Sequence, residues 1–274
     1  MAQVAVITGG ASGMGLAVAT SLANKGWHVH IADLNRDLAE RAARELSGSY
    51  SCTNVSDYAS LRSMFDGVFR EKGEINFVFA NAGIGEKQDF YAAANKQALA
   101  SQPPELDRNI DINLKSVINT SYLARQYMRR NKTRGQSCLI LNASIAGIYP
   151  VRFCPIYTAA KHGVVGFARA ICGYFFDDDG IRVNTLCPGN VRTNLFRPEE
   201  WDVFKIEWIE VSQIVKVVEM MLFDESMNGM VVEVAPKEYF FHEAPPYSND
   251  NVRATLEKPT FRNMGKSDPM NKSM

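Results

Sequence analysis

Tyr157 and Lys161 stand four residues apart in the run Tyr157-Thr158-Ala159-Ala160-Lys161. On a helix that spacing puts both side chains on one face, so an ammonium can approach a phenol. A phenol of pKa near 10 is a poor base at neutral pH. Lowering it by about three pH units takes roughly 4 kcal/mol, near what one close cation supplies in a partly dry site. A tyrosine so tuned exchanges a proton with a hydroxyl group. Ser144, thirteen residues before Tyr157 at the end of an apolar run, is placed to bond the same oxygen and hold it.

A second set of residues reads as a phosphate cradle. Thr8-Gly9-Gly10-Ala11-Ser12-Gly13-Met14-Gly15 follows a β-rich run and opens a helical pattern. Glycines let the backbone approach a pyrophosphate, whose charge then sits on unpaired N–H groups at a helix N-terminus. Gly9, Ser12, Gly13, Met14 and Gly15 are the candidate contacts. A plain strand-to-helix turn looks the same, and what distinguishes this one is Asp33, 18 residues beyond Gly15. Dinucleotide folds place an acid there on the adenosine ribose hydroxyls. A 2′-phosphate would meet that carboxylate charge to charge, roughly 4 kcal/mol at 4 Å and an effective dielectric near 20, so Asp33 favours NAD over NADP, with Leu34 beside it a further candidate cofactor contact. Asn81-Ala82-Gly83 ends another β-rich run, and its small residues let the backbone pass close to a cofactor where the strand order reverses.

The elements that must position these residues alternate from the start of the chain to about residue 235. Candidate strands are Val4–Thr8, His28–Ala32, Tyr50–Val55, Ile75–Ala80, Cys138–Asn142, Ile181–Cys187 and Met230–Ala235. Helical patterns lie between them, such as Leu16, Ala19, Leu22 and Ala23, then Leu61, Met64, Phe65 and Val68. Alternation of this kind predicts a single doubly wound α/β Rossmann domain over 1–242. Its seven-stranded parallel sheet runs in the order 3-2-1-4-5-6-7, with helices on both faces. Residues 84–104 form a long connection, followed by a helix expected to start near Pro103–Pro104, and 190–212 form another. Residues 243–274 are polar and proline-bearing, and read as an extended or disordered tail.

Composition removes several function classes. Apolar residues make up 46%, and 30 basic residues balance 30 acidic ones, so no field concentrates nucleic acid or an anionic membrane on the chain. Cys52, Cys138, Cys154, Cys172 and Cys187 form no C-x-x-C pair and fit reduced thiols of a cytoplasmic protein. His28, His30, His162 and His242 fall at no metal-ligand spacing, so no metal is expected. There is no signal-peptide pattern at the N-terminus and no apolar run long enough for a membrane span.

Taken together, T-G-x-x-x-G-x-G at Thr8–Gly15, N-A-G at Asn81–Gly83, Ser144, Y-x-x-x-K at Tyr157–Lys161 and Pro188-Gly189 resemble the short-chain dehydrogenase/reductase family over residues 4–240. The resemblance implies a tyrosine general acid/base, a lysine that also binds the nicotinamide ribose, and a serine that orients the substrate oxygen. It further implies an asparagine holding a water in a proton relay, here Asn113. Val191 and Thr193, after Pro188-Gly189, are implied contacts of the nicotinamide amide. Many members have an aspartate against adenine where this chain has Asn54, beside Val55, and Ala80 replaces the first residue of the frequent N-N-A-G.

Within the family, the text around Tyr157 and the run Met227–Ala235 resemble NAD-linked hydroxyprostaglandin dehydrogenases. Their glutamine three residues before the tyrosine is Cys154 here, which speaks against prostaglandins. Tyr149, Val151, Phe153 and Cys154, with Phe196, Trp201, Phe204 and Trp208, are candidate walls of an apolar pocket for a lipophilic secondary alcohol or ketone, although aromatics also pack on cores and subunits. Other readings are an NAD(P)H-dependent carbonyl reductase of a biosynthetic route and a dinucleotide-binding sensor or scaffold. The second needs the cradle but not the proton-transfer residues. Family members pair through the helices near 105–130 and 156–175, implying a homodimer or homotetramer.

Overall fold

The computed structural model describes residues 2–91, 105–133, 135–193 and 207–257. The chain divides into two compact units, Met1–His242 and Glu243–Met274. In the first, strands and helices alternate as β1 (Val4–Thr8), α1 (Gly13–Asn24), β2 (His28–Asp33), α2 (Arg36–Glu45), β3 (Ser49–Cys52), α3 (Tyr58–Lys72) and β4 (Phe77–Ala80). Then come α4 (Leu106–Ile110), one π-helical turn (Asp111–Lys115), α5 (Ser116–Met128) and β5 (Ser137–Asn142). After β5 follow α6 (Pro155–Asp179), β6 (Ile181–Pro188), α7 (Val211–Phe223), β7 (Val231–Ala235) and β8 (Glu238–Phe241). The second unit holds α8 (Asp250–Glu257).

β1, β4, β5 and β6 are buried along their whole lengths, as uninterrupted apolar runs require when helices cover both faces of a parallel sheet. The sheet order is β3-β2-β1-β4-β5-β6-β7-β8. One apolar cluster packs α1, α2 and α7 on one face through Val18, Leu22, Ala39 and Val218. Another packs α3, α5 and α6 on the opposite face through Leu61, Phe65, Leu123 and Val164. Because β2 and β4 flank β1, successive crossovers leave β1 in opposite directions, and a crevice opens beyond the carboxyl ends of β1 and β4.

Helix ends are set locally. The Asn35 side chain accepts from Leu38 N–H at the start of α2, and Asp57 accepts from Ala59 N–H at the start of α3. Pro155 opens α6, and Gly180, at φ 69°, closes it in the left-handed region.

Three differences from the sequence reading stand out. The sheet has eight strands, because β7 turns back through Pro236 and Lys237 into antiparallel β8. β3 ends at Cys52, so Asn54 and Val55 lie in the loop beyond it. Within 243–274, read as extended or disordered, Asp250–Glu257 is helical. α4 starts at Leu106, and Pro103–Pro104 lie outside the described residues. No described helix is long and apolar enough to cross a membrane.

Candidate active site

Loops at the carboxyl ends of β1, β2, β4, β5 and β6 meet around a cavity of about 610 Å³. A hydrogen-bond network ties these ends together. Thr8 Oγ1 accepts from Asn81 N–H and Ala82 N–H at 3.0 and 3.2 Å. Asn81 Nδ2 donates to the Thr8 and Gly9 carbonyls, and Asn142 Nδ2 donates to Asn81 Oδ1 at 3.0 Å. Three neighbouring strands are thereby held in one fixed arrangement.

At one end of the cavity lies the glycine turn. Gly9 has φ 62°, and a Cβ on Gly15 would stand 2.3 Å from the Gly9 carbonyl oxygen, so only glycine lets the turn fold back on α1. Ser12 caps α1 without a side-chain bond, leaving the first-turn N–H groups facing the cleft. This end fits a pyrophosphate. Asp33 stands beside it: Oδ2 accepts from Ala11 N–H at 3.1 Å and Oδ1 from Asn35 N–H at 3.0 Å. Gly9, Ser12, Gly13, Met14, Asp33, Leu34, Asn54 and Val55 all line this part of the cavity, whereas Gly15 acts from behind it.

At the other end, α6 carries Tyr157 in its first turn and Lys161 one turn later. Lys161 is buried; its Nζ donates to the Asn142 carbonyl at 2.8 Å and lies 5.6 Å from the Tyr157 ring centroid. Ser144 Oγ accepts from Ala146 N–H at 3.1 Å, which fixes the hydroxyl next to the phenol. Burial pushes the Tyr157 hydroxyl up to about 12, and hydrogen bonding with Ser144 pulls the other way. Burial likewise drives Lys161 down to about 8. In the protein alone desolvation therefore dominates the phenol, against the lowering expected from its spacing to Lys161.

Asn113, in the π-turn, is buried and is not among the residues that line the cavity. Its Oδ1 accepts from Ile84 N–H at 3.0 Å, and its Nδ2 donates to the Ile84 carbonyl and to Asn109 Oδ1. A Cβ on Gly83 would come within 3.0 Å of Asn113 Oδ1 and 3.7 Å of Lys161 Nζ, so this glycine lets loop, helix and lysine close together. Pro188, Gly189, Val191 and Thr193 line the cavity with Asn81, Ala82 and Gly83.

Of the proposed substrate wall, Val151, Phe153 and Cys154 border the cavity, and burial raises the Cys154 thiol to about 11, so it stays protonated. Tyr149 does not: its hydroxyl donates to Glu233 Oε2 at 3.0 Å and its ring meets His242 edge-on. Trp208 stacks under the Arg192 guanidinium, 5.0 Å away, while Phe196, Trp201 and Phe204 lie outside the described residues. Sequence reasoning missed Ile84, Glu86, Ile112 and Ile145, which also border the cavity. All five cysteines are free, and among the described residues no His, Cys, Asp or Glu gather in a group able to hold a metal ion.

Residues 3–202 match the short chain dehydrogenase family model. The chain is 36% identical to short-chain dehydrogenase/reductase prx7 of Penicillium rubens, across 91% of this chain and 97% of that protein. It is 30% identical to the human 15-hydroxyprostaglandin dehydrogenase [NAD(+)], across 78% of this chain and 77% of that one. Among solved structures, gox2181 superposes with a TM-score of 0.74 at 25% identity, covering 85% of this chain and 94% of that chain. A 3-ketoacyl-(acyl-carrier-protein) reductase from Brucella melitensis, complexed with NADH, shares the fold at a TM-score of 0.73 and 24% identity, over 85% and 96% of the two chains.

Proposed function

The chain belongs to the short-chain dehydrogenase family, and on that premise we propose that it is an NAD-dependent oxidoreductase interconverting a lipophilic secondary alcohol and its ketone. The observation that carries the reading is the pairing of Tyr157, Lys161 and Ser144 at one end of a single cavity with a glycine cradle and Asp33 at the other.

Gly9, Ser12, Gly13 and Met14 would hold the pyrophosphate, Asp33 the adenosine ribose, and Leu34, Asn54 and Val55 the adenine side. Asn81, Ala82, Gly83, Lys161, Pro188, Gly189, Val191 and Thr193 would hold the nicotinamide half. The bound nicotinamide supplies the hydride acceptor or donor and, when oxidised, a positive charge beside the phenol. Ser144 hydrogen-bonds the substrate oxygen, and Tyr157 Oη takes its proton during oxidation or returns it during reduction. The Lys161 ammonium, fixed on the Asn142 carbonyl, adds positive charge that opposes the desolvation holding Tyr157 protonated. Asn113 braces the loop at Ile84 through its amide.

NAD is favoured by Asp33 at the end of β2, and the human relative is named for NAD(+). Val151, Phe153, Ile84, Ile112 and Ile145 favour an apolar substrate body. Exposed Ile118 and Tyr122 on α5, and Tyr174 and Phe176 on α6, support pairing of two copies through these helices. A nicotinamide-absorbance screen of secondary alcohols and ketones, run with both cofactors, tests the reading. The expected result is turnover of lipophilic substrates with NAD preferred; preference for small charged polyols, or NADP used as well as NAD, would contradict it.

A further inference from the structure

Glu86 is an acid that the reaction above does not use. It sits on the loop after β4, is 6% exposed and borders the cavity. Its Oε2 accepts from Tyr157 N–H at 2.8 Å, and the backbone N–H of Ile156 also favours the charged carboxylate. These donors belong to the first turn of α6, whose N-cap, Cys154, makes no side-chain bond. Glu86 thus caps the helix from a distant loop, where the positive helix end favours its anion against the upward push of burial.

The second oxygen is different. Oε1 is buried and has no hydrogen-bond partner among the described residues. The same cavity is lined by the apolar residues Val151, Phe153 and Ile145, and the Cys154 thiol, which burial keeps protonated, lies near enough to feel the carboxylate. A buried acceptor without a donor is rare in a folded protein and points to a group that completes it. The bond from Tyr157 N–H to Oε2 holds the carboxylate at the first turn of α6, in a residue that borders the cavity.

We propose that Glu86 Oε1 receives a hydrogen bond from a hydroxyl of the substrate, on a carbon other than the reacting one, and that the site selects lipophilic hydroxy-ketones and diols over compounds with a single oxygen. This rests on the alcohol and ketone reading of the cavity. A site built to bond a substrate hydroxyl rejects the analogue lacking it far more strongly than an apolar pocket distinguishes one methylene.

The test compares straight-chain methyl ketones with the same ketones bearing one hydroxyl at successive carbons, reduced with NADH by the wild-type protein and by Glu86→Gln. In the variant the amide oxygen can keep the helix bonds while the amide N–H₂ replaces the acceptor. The wild type is expected to favour one hydroxylated isomer by at least about tenfold in kcat/KM, and the variant to lose at least about tenfold of that ratio. The wild-type series stands alone should the variant not fold. Equal use of plain and hydroxylated ketones, or a variant that slows both alike, makes Glu86 a helix clamp only and overturns the proposal. Absence of turnover with every ketone overturns the reading beneath it, and the proposal with it.

Discussion

Replacing Lys161 with Met tests the electrostatics of the site apart from its catalysis. Burial lowers Lys161 from 10.5 to about 8, and at about 1.4 kcal/mol per pH unit the folded protein holds this cation at a disadvantage of about 3 kcal/mol below pH 8. Methionine fills similar volume without charge but leaves the Asn142 carbonyl without its 2.8 Å bond, which costs about 1–3 kcal/mol. Ligand-free Lys161→Met should therefore equal the wild type at neutral pH or exceed it by up to about 2 kcal/mol. Between pH 8 and 10.5 the unfolded wild-type chain binds the Lys161 proton more tightly than the folded one, so wild-type stability rises with pH and the variant's advantage shrinks and then reverses. Urea unfolding of both proteins, stepped upward through this window, measures the difference, in which other titrations cancel. A variant several kcal/mol weaker at neutral pH, or a difference that does not move with pH, would refute the reasoning.

Asp33→Ser should lower the ratio of NAD to NADP use in kcat/KM by at least about tenfold, since even a repulsion screened to about 1.4 kcal/mol carries that factor; an unchanged ratio would remove Asp33 as the cofactor selector. Gly15→Ala should cost about 1–3 kcal/mol and weaken dinucleotide binding, because its Cβ falls 2.3 Å from the Gly9 carbonyl oxygen. Thermal melting and cofactor titration check this, and wild-type values in both would contradict the geometry of the turn.

The parallel strands were legible because each is a short apolar run bounded by turn residues, and burial on both faces leaves the chain little choice of other types there. β8 was not. It follows a two-residue turn, Pro236-Lys237, in which Lys237 adopts φ 67°, and neither residue is the Asn-Gly or Asp-Gly that announces such a hairpin. Tyr239, Phe240 and Phe241 are exposed, so no alternation of burial marks the strand. α8 buries none of its residues, and over eight positions Val252 and Leu256 alone, four apart, mark a short apolar face.

For the site, spacing along one helix placed Tyr157 and Lys161 on a common face, and the glycine turn followed from local backbone demands. Tyr149 is not among the cavity-lining residues, and nearness in sequence to Tyr157 says nothing of the Glu233 carboxylate that its hydroxyl bonds. Glu86 was invisible for the converse reason: 71 residues separate it from the backbone N–H it caps, and a lone acid on a loop has no pattern. The upward pKa of Tyr157 is likewise tertiary, since desolvation depends on everything packed around the ring.

The most direct measurement takes Tyr157→Phe, titrates it with NAD by fluorescence, and follows nicotinamide reduction with whichever secondary alcohol the wild type turns over. Binding should stay within about threefold of wild type while turnover falls by about 10²–10⁴, because the ring remains and only the proton carrier is gone. A phenylalanine variant that keeps more than about a tenth of wild-type turnover would show that another group moves the proton.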